Sequence, residues 1–214
     1  MNATDEETVE NLRKWWSENG PWIIGGLALG ALVLFGWRYW NEWRENQLAH
    51  ASNSYRELVA EAERGDLPHA AGIANELRER RLAGPYVDFA ALALAHHALA
   101  QGEVEAARAE LEGLLAQSSD VHTLTLARLR LARIELADGA FDRAAQLLDT
   151  QDTGSFAPLY AELRGDLAAA RGDTAAAAVA YREALASTAE GVADRALIRI
   201  KLDNLGASAP AQEA

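Results

Sequence analysis

There is no cysteine in the 214 residues, which removes any disulfide framework and any cysteine-ligated metal from consideration. Proline is scarce, at five residues, and in an alanine-rich chain that scarcity favours helix over a turn-rich architecture. Positive charge is in deficit as well. Twenty Lys and Arg stand against 32 Asp and Glu, a formal charge of −12, which argues against nucleic acid as a partner and against a surface made to lie on anionic lipid. The chain contains no GxSxG, no Walker lysine motif, no GxGxxG and no HExxH. Its five histidines, His50, His69, His96, His97 and His122, have no metal-binding spacing, and His96 and His97 are expected to point to different faces of one helix. No catalytic constellation can be assembled, so the chain reads as a non-enzyme with no metal, no cofactor and no small-molecule substrate.

Charge is also missing from one particular stretch. From Asn19 to Trp37, NGPWIIGGLALGALVLFGW, no residue carries one. A helix of that length reaches about 28 Å, close to the hydrocarbon thickness of a bilayer. All six tryptophans flank or enter it: Trp15, Trp16 and Trp22 at one end, Trp37, Trp40 and Trp43, with Tyr39, at the other. Amphipathic aromatics belong at the two membrane interfaces, and no tryptophan occurs beyond Trp43. A cleaved secretory signal would have a basic start and a small-residue cleavage site. Here the start is acidic (Asp5, Glu6, Glu7, Glu10) and the run exits through Gly36, Trp37 and Arg38, so a retained single span over residues 19–40 is the reading. Gly26 and Gly30 form a GxxxG pair, a possible helix-pairing face in the membrane. Orientation does not follow from charge, because Arg13 and Lys14 before the span are matched by Arg38 and Arg44 after it.

Residues 1–18 read as a short tail, disordered to about residue 11, and an interfacial helix that Gly20 and Pro21 should break. Residues 41–64, free of Gly and Pro, read as a juxtamembrane helix entering the first of several repeats. Gly65, Gly102, Gly139 and Gly172 are spaced by 37, 37 and 33 residues, and five residues after each stands an alanine: Ala70, Ala107, Ala144 and Ala177. Leu111, Leu148 and Tyr181 follow in register, and Leu94 with Ala95, Leu131 with Ala132, and Gly165 hold the close-approach positions on the preceding helices. This is the period and pattern of the tetratricopeptide helix-turn-helix. A single hairpin cannot bury its apolar face, so residues 65–205 should stack into a right-handed helical-repeat superhelix with a concave surface. Arg128 and Glu135 stand where that motif is usually apolar, and Leu58 where it is usually small. Val192 to Leu205 reads as a capping helix with Ala196, Leu197, Ile200 and Leu205 on its packing face, ended by Gly206, and residues 206–214 as a disordered tail. The fold class is thus all-α: one transmembrane helix, a tetratricopeptide-like stack and a C-terminal capping helix.

The inner helices present Phe89, Leu92, His96 and Leu99 in the second repeat and Leu126, Leu129, Arg133 and Leu136 in the third. These residues either line a groove for an extended segment or helix of another protein, or pack as core against the next helix.

Several stretches occur together in one order: ENG at Glu18 to Gly20, GWRYWN at Gly36 to Asn41, LRLARIEL at Leu129 to Leu136, RGD at Arg171 to Asp173 with AYREAL at Ala180 to Leu185, and IKLDNL at Ile200 to Leu205. Over nearly the whole chain they resemble the YfgM-type ancillary subunit of the bacterial SecYEG translocon. The resemblance implies a single-pass inner-membrane protein with a cytoplasmic N-terminus and a periplasmic repeat domain. It implies association with SecYEG, with a PpiD-like membrane-anchored periplasmic chaperone and with exported polypeptides, which it would help pass to periplasmic chaperones. The alternative is a tetratricopeptide scaffold for another cell-envelope assembly not linked to export.

Overall fold

The computed structural model describes residues 3–80, 84–150, 152–186 and 193–207, and every element among them is helical. Nine α-helices follow in order: α1 (Ala3–Arg64), α2 (Leu67–Glu79), α3 (Tyr86–Ala100), α4 (Val104–Gln117), α5 (Val121–Ala137), α6 (Phe141–Leu148), α7 (Ala157–Ala170), α8 (Thr174–Ala186) and α9 (Arg195–Ala207), with one 3-10 turn at Gly154–Phe156. The chain divides into two units, residues 1–52 and residues 53–214.

The first unit is helix from Ala3 onward, so the expected disordered start and the expected break at Gly20 and Pro21 do not occur. Pro21 withholds the N–H that the Ser17 carbonyl would accept, but its fixed φ is helical and one lost bond does not end a helix supported on both sides. Side chains reinforce the turns before it. The Asn19 amide donates to the Trp15 carbonyl at 3.0 Å and the Ser17 hydroxyl to the Lys14 carbonyl at 2.8 Å. From Trp22 to Trp40 the large apolar side chains Leu27, Leu29, Leu32, Leu34, Phe35 and Trp37 are all exposed. The helix is long and apolar enough to cross a membrane.

The second unit is built of hairpins. The end of α1 pairs with α2, α3 with α4, α5 with α6 and α7 with α8, and the four turns carry Gly65, Gly102, Gly139 and Gly172, all at φ between 75° and 90°. That left-handed conformation is one that side-chain-bearing residues rarely adopt, which is why glycine recurs there. Asp66 caps α2 by accepting from the His69 N–H (3.0 Å), and Asp173 accepts from the Ala176 N–H (2.9 Å). Ala70, Ala107, Ala144 and Ala177 are each 0% exposed, where the helices of a hairpin meet. Gly165 shows why the close-approach position must be small, because a Cβ there would collide with the Tyr181 ring.

One departure from the usual apolar pattern is explained by pairing. Glu135, 2% exposed, is held by Arg108 from α4 and by Arg143 from α6 at 3.4 Å, and Arg108 also reaches Asp138. Buried charge is tolerated where it is matched. Leu58 is simply core. Tyr160 on α7, fully buried, donates its hydroxyl to the Thr125 carbonyl of α5 at 2.9 Å, tying the third hairpin to the fourth.

The terminal helix α9 does cover α8, but not with the expected face. Ile198, Leu202 and Leu205 pack on Ala161, Ala177, Tyr181 and Ala184, while Leu197 and Ile200 are 44% and 56% exposed and Ala196 is exposed. A polar anchor sets this rotation. Lys201 donates to Glu162 (2.7 Å) and Asp166 (2.8 Å) of α7, and Asp166 accepts from the Tyr181 hydroxyl (2.8 Å). The helix runs on through Gly206 to Ala207. The expected start at Val192 and the tail beyond Ala207 lie outside the described residues.

Candidate partner-binding groove

Three successive inner helices meet around an open cavity of about 310 Å³. The end of α1 contributes Tyr55 and Val59, α3 contributes Phe89, Leu92, Ala93, His96 and His97, and α5 contributes Arg130. Their spacing is helical: Tyr55 to Val59 on one helix, and Phe89, Leu92 or Ala93, and His96 on the next, place one stripe toward the opening. Tyr55, Tyr86 and Phe89 form an aromatic cluster, with ring centroids 5.9 to 6.2 Å apart and the Tyr86 and Phe89 rings edge to face. Phe89 remains 41% exposed, which is unusual for a phenylalanine with aromatic neighbours on hand.

Arg130 gives the cavity its charge. Its guanidinium donates to the Leu92 carbonyl at 3.1 Å, bridging α5 and α3. Burial, with the charge of Arg133 one turn on, pulls its pKa below the usual guanidinium value. His96 and His97 both line the cavity, their rings 5.2 Å apart and edge to face, although consecutive residues leave a helix about 100° apart.

The structure separates the eight expected groove residues. Phe89, Leu92 and His96 line the cavity. Leu99 is exposed one turn beyond it. On α5, Leu126 is half-buried and Arg133 exposed, on the same stripe as Arg130. Leu129 is core, 1% exposed, and packs with Ala132, Ala144, Leu148, Tyr160, Leu163 and Leu167, while Leu136 is packed against that same cluster. The two α5 pairs share a seven-residue spacing but are offset by three residues, and that offset carries Leu129 and Leu136 round toward α6 and α7. Sequence reading missed Tyr55, Val59, Ala93, His97 and Arg130. The interruption of the LRLARIEL run by Arg130 and Arg133, three apart, is the signal that would have found the stripe.

In the first unit, Gly26 and Gly30 lie with Ile23, Leu27, Ala31, Leu34, Phe35 and Arg38 along an apolar groove of about 790 Å³ on one face of the span. Among the described residues, nothing outside the helix's own neighbouring backbone comes within 4 Å of where a Cβ on either glycine would sit. Among the described residues one cluster has metal-ligand types together, Glu61, Asp66 and His69, whose ligand atoms lie within 4.8 Å of one another at the exposed first turn. Asp66 is already committed there to capping α2.

The chain matches a family model described as a tetratricopeptide repeat-like domain over residues 13–207. A Haemophilus influenzae protein named "Ancillary SecYEG translocon subunit" is 31% identical over 201 residues, covering 94% of this chain and 97% of the relative. An Escherichia coli protein of the same name is 30% identical over 204 residues, covering 94% and 96%. No solved structure matches.

Proposed function

From the premise that the chain belongs to the tetratricopeptide repeat-like family of ancillary SecYEG translocon subunits, a scaffold family rather than an enzyme family, we propose that it is a membrane-anchored interaction module of that translocon. In this reading it helps pass exported polypeptides to periplasmic chaperones. The observation that carries the proposal is the combination within one chain of an exposed, bilayer-length apolar helix and a hairpin stack with an open aromatic cavity. The proposed partners are SecYEG, a PpiD-like membrane-anchored chaperone and exported chains. The proposed topology is single-pass in the bacterial inner membrane, with a cytoplasmic N-terminus and the repeat domain in the periplasm. The domain boundaries proposed from the sequence become, with α1 unbroken, an anchor over residues 19–40 and a repeat domain entered by residues 41–64. The glycine face of Gly26 and Gly30 is our candidate for pairing with another span in the membrane.

A photo-activatable residue at Phe89 or His96 in living cells is the test. Crosslinks to exported precursors or to the membrane-anchored chaperone support the reading. Crosslinks confined to cell-wall machinery would sink it in favour of a scaffold unrelated to export. Protease added outside spheroplasts should digest the chain after Trp43. Protection until lysis would overturn the topology.

A further inference from the structure

Basic side chains that bridge helices elsewhere in the repeat unit meet carboxylates: Arg78 meets Glu110, Arg108 meets Glu135 and Asp138, Arg143 meets Glu112, Arg171 meets Asp142, and Lys201 meets Glu162 and Asp166. The chain is acidic enough to supply such partners widely, at −12 overall. Arg130 is different. It is half-buried at the cavity, its polar contact is the neutral Leu92 carbonyl, and the charge that acts on it is that of another cation, Arg133. Among the described residues no carboxylate pairs with either arginine. A guanidinium partly withdrawn from water, beside a like charge and without a counter-ion, is unfavourable in the free protein and becomes favourable when a ligand brings a carboxylate. Arg128 is not part of this pair, since its charge acts on Tyr160 on another side of α5.

Resting on the reading of this cavity as a polypeptide groove, we infer that it selects extended segments in which an acidic side chain lies next to an aromatic or branched aliphatic one. The carboxylate seats against Arg130 and Arg133, and the apolar side chain enters between Tyr55, Val59, Phe89 and Leu92. A volume of about 310 Å³ admits a large side chain. The fork of a guanidinium favours the planar carboxylate over other acceptors. Such a selectivity also keeps the rest of this acidic chain out of its neighbours' grooves less well than it keeps out basic segments, so the apolar contact is needed for affinity and the charge for choice.

The test uses the full chain in detergent micelles and three fluorescent ten-residue peptides, acetylated and amidated, in a Ser/Gly background. Each carries a central Phe-Leu, flanked by Glu and Asp, by Gln and Asn, or by Lys and Arg. The expected result is acidic binding about tenfold tighter than neutral, weakening with salt. Arg133→Gln, at an exposed position, and Arg130→Gln, which keeps a donor for the Leu92 carbonyl, should each erase most of that preference. Arg182→Gln on α8 should not. Circular dichroism melts identify any variant that fails to fold, and Arg133→Gln carries the test if Arg130→Gln does. Equal binding of acidic and neutral peptides, with both weakened by Phe89→Ala, overturns the carboxylate selectivity and leaves the groove standing. A neutral peptide with a free C-terminus binding as tightly as the acidic one overturns the assignment to an acidic side chain. No binding of any peptide, together with no polypeptide crosslinked from Phe89, removes the groove itself.

Discussion

Glycine and alanine are used for opposite purposes in the two halves of this molecule. At the close-approach positions of the repeat unit a small residue is small because something lies against it. Gly165 faces the Tyr181 ring, and Ala107 is fully enclosed. In the span, Gly25, Gly26, Gly30 and Gly36 have nothing within 4 Å of where a Cβ would be, and the leucines between them are exposed. Helix formation is common to both, so the difference lies in what each apolar surface is matched to. One has its complement in the same chain; the other requires a medium or partner outside it.

That contrast is broken most forcefully at the most deeply buried carboxylate among the described residues, Glu135. Glu135→Ala leaves Arg108 enclosed with only its more exposed partners Asp138 and Glu105, and should destabilise the repeat unit by about 3 kcal/mol, read as a lowered melting midpoint. Ala107→Leu should cost 1 to 3 kcal/mol by overpacking, roughly, with the damage fading over adjacent hairpins, while membrane fractionation stays normal. A matched His122→Leu, at an exposed position on the first turn of α5, should stay within about ±0.5 kcal/mol. Melts that fail to separate these two would mean that the hairpin register is wrong.

Gly165→Ala should be milder. The collision with Tyr181 is offset by the roughly 1 kcal/mol that alanine gains over glycine inside a helix, leaving a net loss of about 1 kcal/mol. Gly30→Ala is expected to do nothing to the melt of the repeat unit. If it lowers that melt as much as Gly165→Ala does, the contrast between the two halves fails.

The smallest effect is a pH dependence at the end of the stack. Burial opposes the charge on Lys201, but its hydrogen bonds and charge pairs with Asp166 and Glu162 outweigh this and raise its pKa. Burial and the hydrogen bond to Asp166 raise the pKa of Tyr181 as well. In both cases the folded protein binds the proton more tightly than the unfolded chain. Their stabilisation is present below about pH 10 and declines as pH rises through the folded values. Melts from pH 8 to 11 should show α9 loosening at the alkaline end, and Lys201→Met should flatten that decline. An alkaline slope identical in the variant would remove Lys201 from the explanation.

Much of the architecture was legible because it rests on residues that have few physical alternatives. Four glycines in register mark four left-handed turns, and four alanines five residues later mark the places where helices touch. An uncharged stretch bracketed by tryptophan marks a span by length and solvation alone. The groove was only half legible. On α3 a single stripe held Phe89, Leu92 and His96, but on α5 two stripes of similar hydrophobicity lie about 60° apart, and sequence offers no reason to prefer Leu126 and Arg133 over Leu129 and Leu136.

What the sequence by itself determined is therefore the helical class, the repeat register and the apolar stretch of the anchor, which follow from local conformational limits and from charge, and the family, which is carried by its motifs in order. Only the tertiary structure decided which face of each helix turns inward. It carried α1 through Gly20 and Pro21, gave Leu129 to the core and Arg130 to the cavity, and rotated α9 so that Ile198 rather than Leu197 is buried. The reason is that burial is settled by the neighbours a helix meets. A leucine facing Tyr160 and a lysine anchored by two carboxylates from α7 choose a rotation that no single helix contains.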